Sequence, residues 1–285
     1  MRWRTDDRGA PGGAIAAWLL APLVTAALAV AAIPGVLHHR LPDAPPLEQR
    51  WIATMPTVSR IGAIDPAVAA LYFERAGSFV LGGTGRGGSV VGLAWSDEAA
   101  FEEDLASGSI PPAVRVVMYD PEGWPSTPRA ERRDPVTAMR AFADVARAAG
   151  YGVIITPHPN LVDVAHAVCG ATRHEPTSTA FLRCGLQAEA ARLSDVVEIQ
   201  AQWLEWDPAA YRSFVESAAA QARRANPGVV VLAGLSTRFA NDAPTMLAAW
   251  DAVRDIVDGH YLAVPEGIRP EVAASFLRAL AEERG

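Results

Sequence analysis

The chain is poor in the features that announce most function classes. Its two cysteines, Cys169 and Cys184, are too few for a disulfide scaffold. Positive charge is in deficit, with 25 Lys and Arg against 32 Asp and Glu and a net charge of −7. That argues against a basic face for nucleic acid, so no nucleic-acid partner is expected. There is no short repeat, no long low-complexity run, no Walker loop and no Gly-x-Ser-x-Gly elbow. Nucleotidases and hydrolases built on those motifs therefore have no support.

Two weak motifs are also set aside. Residues 83–88, Gly-Thr-Gly-Arg-Gly-Gly, match Gly-x-Gly-x-x-Gly in form. A dinucleotide site needs a helix to begin there, and the following Ser-Val-Val-Gly-Leu-Ala-Trp reads as a strand. The run is read as a glycine-rich turn, and no cofactor is expected. Asp163, His166 and His174 follow no familiar zinc spacing and read as mixed polar residues on an exposed segment, so no metal is expected.

What is present begins at the N-terminus. Arg2, Arg4 and Arg8 precede an uncharged, alanine-, leucine- and valine-rich stretch over residues 9–37, and His38, His39 and Arg40 follow it. The stretch is long enough to span a bilayer and also holds small-residue cleavage patterns such as Ala29-Val30-Ala31. Residues 1–37 are read as a membrane anchor with its amino terminus inside, or as a cleaved signal peptide. Either way the rest of the chain is expected outside the cytoplasm, where a Cys169–Cys184 bridge is favoured over two separate thiols. Residues 38–50, with Pro42, Pro45 and Pro46, read as an extended linker. A single folded domain is expected over residues 51–285.

Asp-Pro pairs punctuate that domain. Asp65-Pro66, Asp134-Pro135 and Asp207-Pro208 each precede helical periodicity, with aspartate as the cap and proline in the first turn. Asp120-Pro121 precedes Glu-Gly-Trp-Pro, which starts no helix, so Asp120 is not explained as a cap. Strands are predicted at 78–81, 90–95, 114–119, 152–156, 195–202, 229–235 and 259–264, with a further short one near 58–64. Their alternation with helices implies a parallel sheet. Seven or eight such units in this length predict an α/β fold of the TIM-like (β/α)8 barrel type, with an open doubly wound sheet as the alternative.

The chemistry is expected at strand ends. Residues 114–119 run as a strand buried on both faces into Asp120 and Glu122, two apart, beside Tyr119 and Trp124. In the strand over 195–202, Val197, Ile199 and Ala201 share one face and Glu198, Gln200 and Gln202 the other. In a barrel the polar column would line the interior, as part of a site or as a satisfied structural network. Trp203, Glu205 and Trp206 follow. Thr156, His158 and Asn160 share a parity after the 152–156 strand. His158 is either a proton-transfer group or a turn residue. Ser236 and Thr237, and Tyr261 and Glu266 around the last strand, carry polar groups with no assigned role.

With its carboxylate-tipped strand, polar column and aromatic loops, the chain resembles the exported βα-barrel proteins of the glycoside hydrolase superfamilies across most of residues 51–285. The resemblance is one of architecture, and the repeated-aspartate strand motif of chitinase-like barrels is absent. It implies an exported or membrane-anchored glycoside-hydrolase-like barrel acting on a glycan with two carboxyl groups. Glu122 is the expected acid, because Pro121 and Trp124 would desolvate it, with Asp120 or Glu198 as partner. Tyr119, Trp124, His158, Asn160, Gln200, Gln202, Trp203 and Glu205 are the expected substrate contacts, Glu205 also standing in reserve as a catalytic carboxylate. The alternatives are a non-catalytic cell-surface barrel that binds a glycan or another envelope component, and a barrel hydrolase or lyase with His158 as base. Expected partners are thus a carbohydrate or other envelope ligand, and the membrane through the N-terminal segment.

Overall fold

In the computed structural model, residues 49–85, 87–164, 169–170 and 174–283 are described. The chain divides into two units, 1–36 and 37–285. The N-terminal apolar run, the linker as far as residue 48, and His166 lie outside the described residues. Among the described residues no helix is long and apolar enough to cross a membrane.

Eight strands close into one barrel: β1 (Arg50–Thr54), β2 (Phe79–Leu81), β3 (Val90–Trp95), β4 (Val116–Tyr119), β5 (Gly152–Ile155), β6 (Val196–Ile199), β7 (Val230–Ser236) and β8 (Gly259–Ala263). Each pairs in parallel with the next, and Ile52 of β1 pairs with Phe79 on one side and Tyr261 on the other. That closure rules out the open doubly wound alternative. The short strand expected near 58–64 is instead part of helix α1 (Met55–Ile64). Thr54 accepts the Thr57 N–H and Pro56 occupies the first turn, so the helix starts directly after β1. β6 is shorter than expected, because Ala201 adopts φ −118 and ψ 6 and the chain turns into a 3-10 segment over Gln202–Leu204.

The two-residue period of the strands sorts their side chains into two cores. Ile52, Phe79, Leu81, Val116, Met118, Ile154, Val196 and Leu232 fill the barrel interior. Their neighbours, such as Val117, Tyr119, Val153, Val197, Ile199 and Val231, pack outward against the helices. Strands covered on both faces in this way read as near-continuous apolar runs. The aspartate-proline starts behave as the sequence predicts. Asp65, Asp134 and Asp207 accept from the backbone N–H of Val68, Thr137 and Ala210 at 3.0, 3.2 and 3.1 Å. Each such cap stabilises its helix by about 1 kcal/mol.

The glycine-rich run joins β2 to β3 as a turn in which Gly82, Gly85, Gly87 and Gly88 hold positive φ. A side chain at Gly87 would lie 1.9 Å from the Glu74 carbonyl oxygen, so the turn needs glycine there for space as well as for φ. Cys169 and Cys184 form a disulfide with Cα atoms 5.2 Å apart across 15 residues. A loop of that length gains about 3 kcal/mol in the chain-entropy description. Such bridges persist in oxidising compartments, so this one hints at an extracytoplasmic location.

Candidate active site

The barrel register sets the site. Met118, Ile154 and Val196 are aligned on β4, β5 and β6 and point inward. Two residues further along, the next inward layer is Asp120, Thr156 and Glu198. The ladder carries on past the strand ends, because Asp120 N–H bonds the Trp95 carbonyl at 2.8 Å and Thr156 N–H the Tyr119 carbonyl at 3.0 Å. The apolar interior therefore gives way to a polar layer at the carboxyl end of the strands, the end at which βα-barrel enzymes hold their sites.

Asp120 is clamped in that layer. Its Oδ1 accepts from Thr156 Oγ1 at 2.7 Å and from Gln200 Nε2 at 2.7 Å. Gln200 Nε2 also donates to the Thr156 carbonyl at 2.8 Å, so one amide ties the ends of β4, β5 and β6 together. Burial pushes the Asp120 carboxyl up, and the two donors pull it back down. Glu198 is only 3% exposed, and its Oε1 accepts from Gln202 Nε2 at 3.0 Å. Burial lifts its carboxyl well above the usual range. The charges of Asp120 and Glu122 add to that, and the Gln202 bond partly offsets it. Glu122, half-buried in the loop after β4, is lifted to about 7 by burial and by the charge of Asp120. Three carboxyl groups thus act on one another. With two side-chain donors on its oxygen, Asp120 is the member best equipped to hold the negative charge.

Space for this arrangement comes from Gly234 on β7. A Cβ there would lie 2.3 Å from Gln202 Nε2 and 2.5 Å from Glu198 Oε1. Neither Gly234 nor Thr156 stood out in the sequence as part of a site. A glycine inside a strand signals a close approach, but not what approaches.

The remaining sequence candidates divide. Tyr119 does not face the site. Strand alternation turns it outward, where its ring stacks on Phe142 at 5.0 Å and its hydroxyl donates to Glu131 at 2.6 Å. Asn160 is a loop pin, its Oδ1 accepting the Gly123 N–H at 2.7 Å. His158 caps the 3-10 segment Pro159–Asp163 by accepting the Asn160 N–H on Nδ1 at 3.0 Å. Burial lowers its pKa, and the carboxylate that acts on it is Asp163 rather than the three acids. Its ring lies 6.4 Å from that of Trp124. Glu205 is fully buried, its Oε1 accepting the Ser236 N–H at 2.5 Å, so it ties the loop after β6 to the end of β7. Trp203 is half-buried against Phe214 at 5.9 Å. Trp124, Trp206 and Phe239, on the loops after β4, β6 and β7, are 55%, 69% and 40% exposed. They are the exposed large aromatics among the described residues, and all three belong to loops at the carboxyl end of the barrel. Phe239 was not singled out in the sequence.

The chain contains no lysine; its 25 basic side chains are all arginine. Schiff-base chemistry on a lysine amine therefore has no residue to carry it.

The sequence matches no protein-family model and no curated protein. Among solved structures it is similar to a putative alpha-L-fucosidase from Bacteroides thetaiotaomicron, at 10% identity and a TM-score of 0.42 over 65% of this chain; the chain spans 60% of that protein's length. It is also similar to a curdlan-specific exo-beta-1,3-glucanase of group GH128 from Blastomyces gilchristii, at 12% identity and a TM-score of 0.45, covering 79% of this chain and 96% of that one. Triosephosphate isomerase from Bartonella henselae matches at 14% identity and a TM-score of 0.47, covering 83% and 99%. Likeness at this level is one of barrel architecture and spans unrelated chemistries.

Proposed function

We propose that this is an extracytoplasmic, glycoside-hydrolase-like barrel that cleaves a glycosidic bond by carboxylate acid–base catalysis. The observation that supports it most is the unequal state of two neighbouring acids. Asp120 is held by two donors on one oxygen, while Glu122 is raised to about 7. In this reading the Glu122 carboxyl gives its proton to the glycosidic oxygen as the C1–O bond breaks, and the aglycone leaves as an alcohol. The Asp120 carboxylate either attacks C1 or takes a proton from the water that does. Gln200, Gln202 and Glu198 hold the frame, and Trp124, Trp206 and Trp203 supply stacking surface for sugar faces. The absence of lysine counts against the Schiff-base chemistry that other barrels support.

No arginine contributes to the state of Asp120, Glu122 or Glu198. A negatively charged sugar would meet uncompensated repulsion there, so the reacting sugar is expected to be neutral. The disulfide fits export, and the N-terminal run at residues 9–37 would serve as anchor or cleaved signal.

The test is release of new reducing ends from a panel of neutral and uronate polysaccharides, by the wild type and by Glu122→Gln. Cleavage of a neutral polymer by the wild type, lost in Glu122→Gln with an unchanged melting temperature, is the expected result. Undiminished turnover in the variant would remove Glu122 from its role. Binding without cleavage would make the protein a glycan-binding barrel.

A further inference from the structure

Tyr261 on β8 sits between Gly234 of β7 and Ile52 of β1 in the barrel register. Ile52 belongs to the interior core, and Tyr261 packs against that core, so the phenol points into the barrel rather than toward the helices. Gly234, the neighbour on its β7 side, contributes no side chain. The place where its Cβ would stand is 2.5 Å from Glu198 Oε1. Nothing on the intervening strand therefore screens Tyr261 from the acid layer.

The polar groups around Asp120 are otherwise engaged with the protein. Gln200 serves Asp120 and the Thr156 carbonyl. Gln202 serves Glu198, and Thr156 serves Asp120. Among the described residues, two groups of this layer take no hydrogen bond: the Glu122 carboxyl and the Tyr261 hydroxyl. Burial and the charges of Glu198, Asp120 and Glu122 raise the phenol's pKa. It stays protonated through the neutral range and, beside an anion, acts as a donor. Phenylalanine would fill the same space without leaving a hydroxyl unpaired in a largely buried position, so the hydroxyl points to a ligand.

We propose that Tyr261 is a further catalytic residue of this barrel, its hydroxyl donating a hydrogen bond to an oxygen of the sugar held over Asp120 and Glu122. The proposal rests on the glycan reading of the same site. It gives the site two groups free for substrate: Glu122, which transfers a proton, and Tyr261, which orients the sugar without transferring one.

The experiment compares full-length wild type and Tyr261→Phe on the same panel of soluble neutral polysaccharides (laminarin, xylan, pullulan and mannan). Reducing-end release and binding are both measured, and the melting temperature serves as a check on the fold. The expected result is a loss of about tenfold or more in kcat/KM, carried mainly by kcat, with the pH profile and melting temperature retained. Equal turnover in Tyr261→Phe would overturn the proposal and leave the glycosidase reading intact. If the wild type binds a polymer without cleaving it and Tyr261→Phe binds about tenfold more weakly, the contact stands and the hydrolase reading falls. Equal binding by the two proteins in that case overturns the contact. If the wild type neither cleaves nor binds any of the polymers, both fall together.

Discussion

The Gln200 side chain reaches from beyond the end of β6 to place its Nε2 2.7 Å from Asp120 Oδ1, at the end of β4. The two residues are 80 apart in sequence. Barrel closure makes them neighbours, and Thr156, from the strand between, completes the clamp at 2.7 Å.

Removing that amide should change the charge state of Asp120 before it changes the fold. In Gln200→Ala, Asp120 keeps one of its two side-chain donors, so its carboxyl rises further above the usual range. The acidic limb of the pH–rate profile should move to higher pH, and kcat should fall by about tenfold to a hundredfold, the worth of a hydrogen bond to a charged group. A profile whose acidic limb does not move would show that Asp120 is not the ionised partner.

Gly234→Ala tests whether the strand glycine exists for the site. The added methyl would sit 2.3 Å from Gln202 Nε2 and 2.5 Å from Glu198 Oε1. These atoms end flexible side chains, so they can move aside and the barrel can still close. The expected outcome is an intact fold by circular dichroism, a melting temperature within a few degrees of wild type, and activity reduced by about tenfold or more. Unchanged activity would mean that the Gln202–Glu198 contact has no part in the chemistry.

How much of this was legible in the sequence follows from which interactions are local. The aspartate caps at Asp65, Asp134 and Asp207 bond to residues three further on, so the sequence alone placed them. The alternation of Glu198 with Val197 and Ile199 gave the inward face of β6, because a period of two is also local. The anomaly at Asp120-Pro121, an aspartate-proline pair with no helix behind it, pointed to the loop that carries Glu122. What could not be read depends on register between strands. Tyr119 looked like a site residue because it adjoins Asp120, yet adjacency within a strand places it on the opposite face, against Phe142. β1 was misplaced because Trp51, Ile52 and Ala53 form a short apolar run next to the longer one that becomes α1. Tyr261 and Gly234 come to the acid layer through the β7–β8 pairing, which no local pattern reports.

A last expectation concerns stability against pH, and it turns on Glu205. This side chain is fully buried, and burial lifts its carboxyl to about 8, with the Ser236 and Ala240 N–H groups opposing the shift. Between its ordinary value in the unfolded chain and about 8, the folded protein keeps a proton that the unfolded chain has released. Protons are then bound preferentially by the folded state, so stability falls as pH rises through that window. The contribution is fully present below the ordinary carboxylate value and lost above about 8, a swing on the order of a few kcal/mol. Glu122, lifted to about 7, acts in the same direction over a narrower range, weakened by its partial exposure to solvent. The melting temperature of the wild type should therefore drop by several degrees between pH 5 and pH 9. In Glu205→Gln, which cannot ionise, the drop should be smaller, whatever the substitution does to the absolute value. The measurement is a thermal melt of both proteins at the two pH values. An equal drop in the two would show that Glu205 keeps an ordinary carboxylate pKa, and that the tie between the loop after β6 and Ser236 is made by an anion throughout. A steeper drop in the variant would reverse the sign and remove Glu205 from the pH dependence altogether.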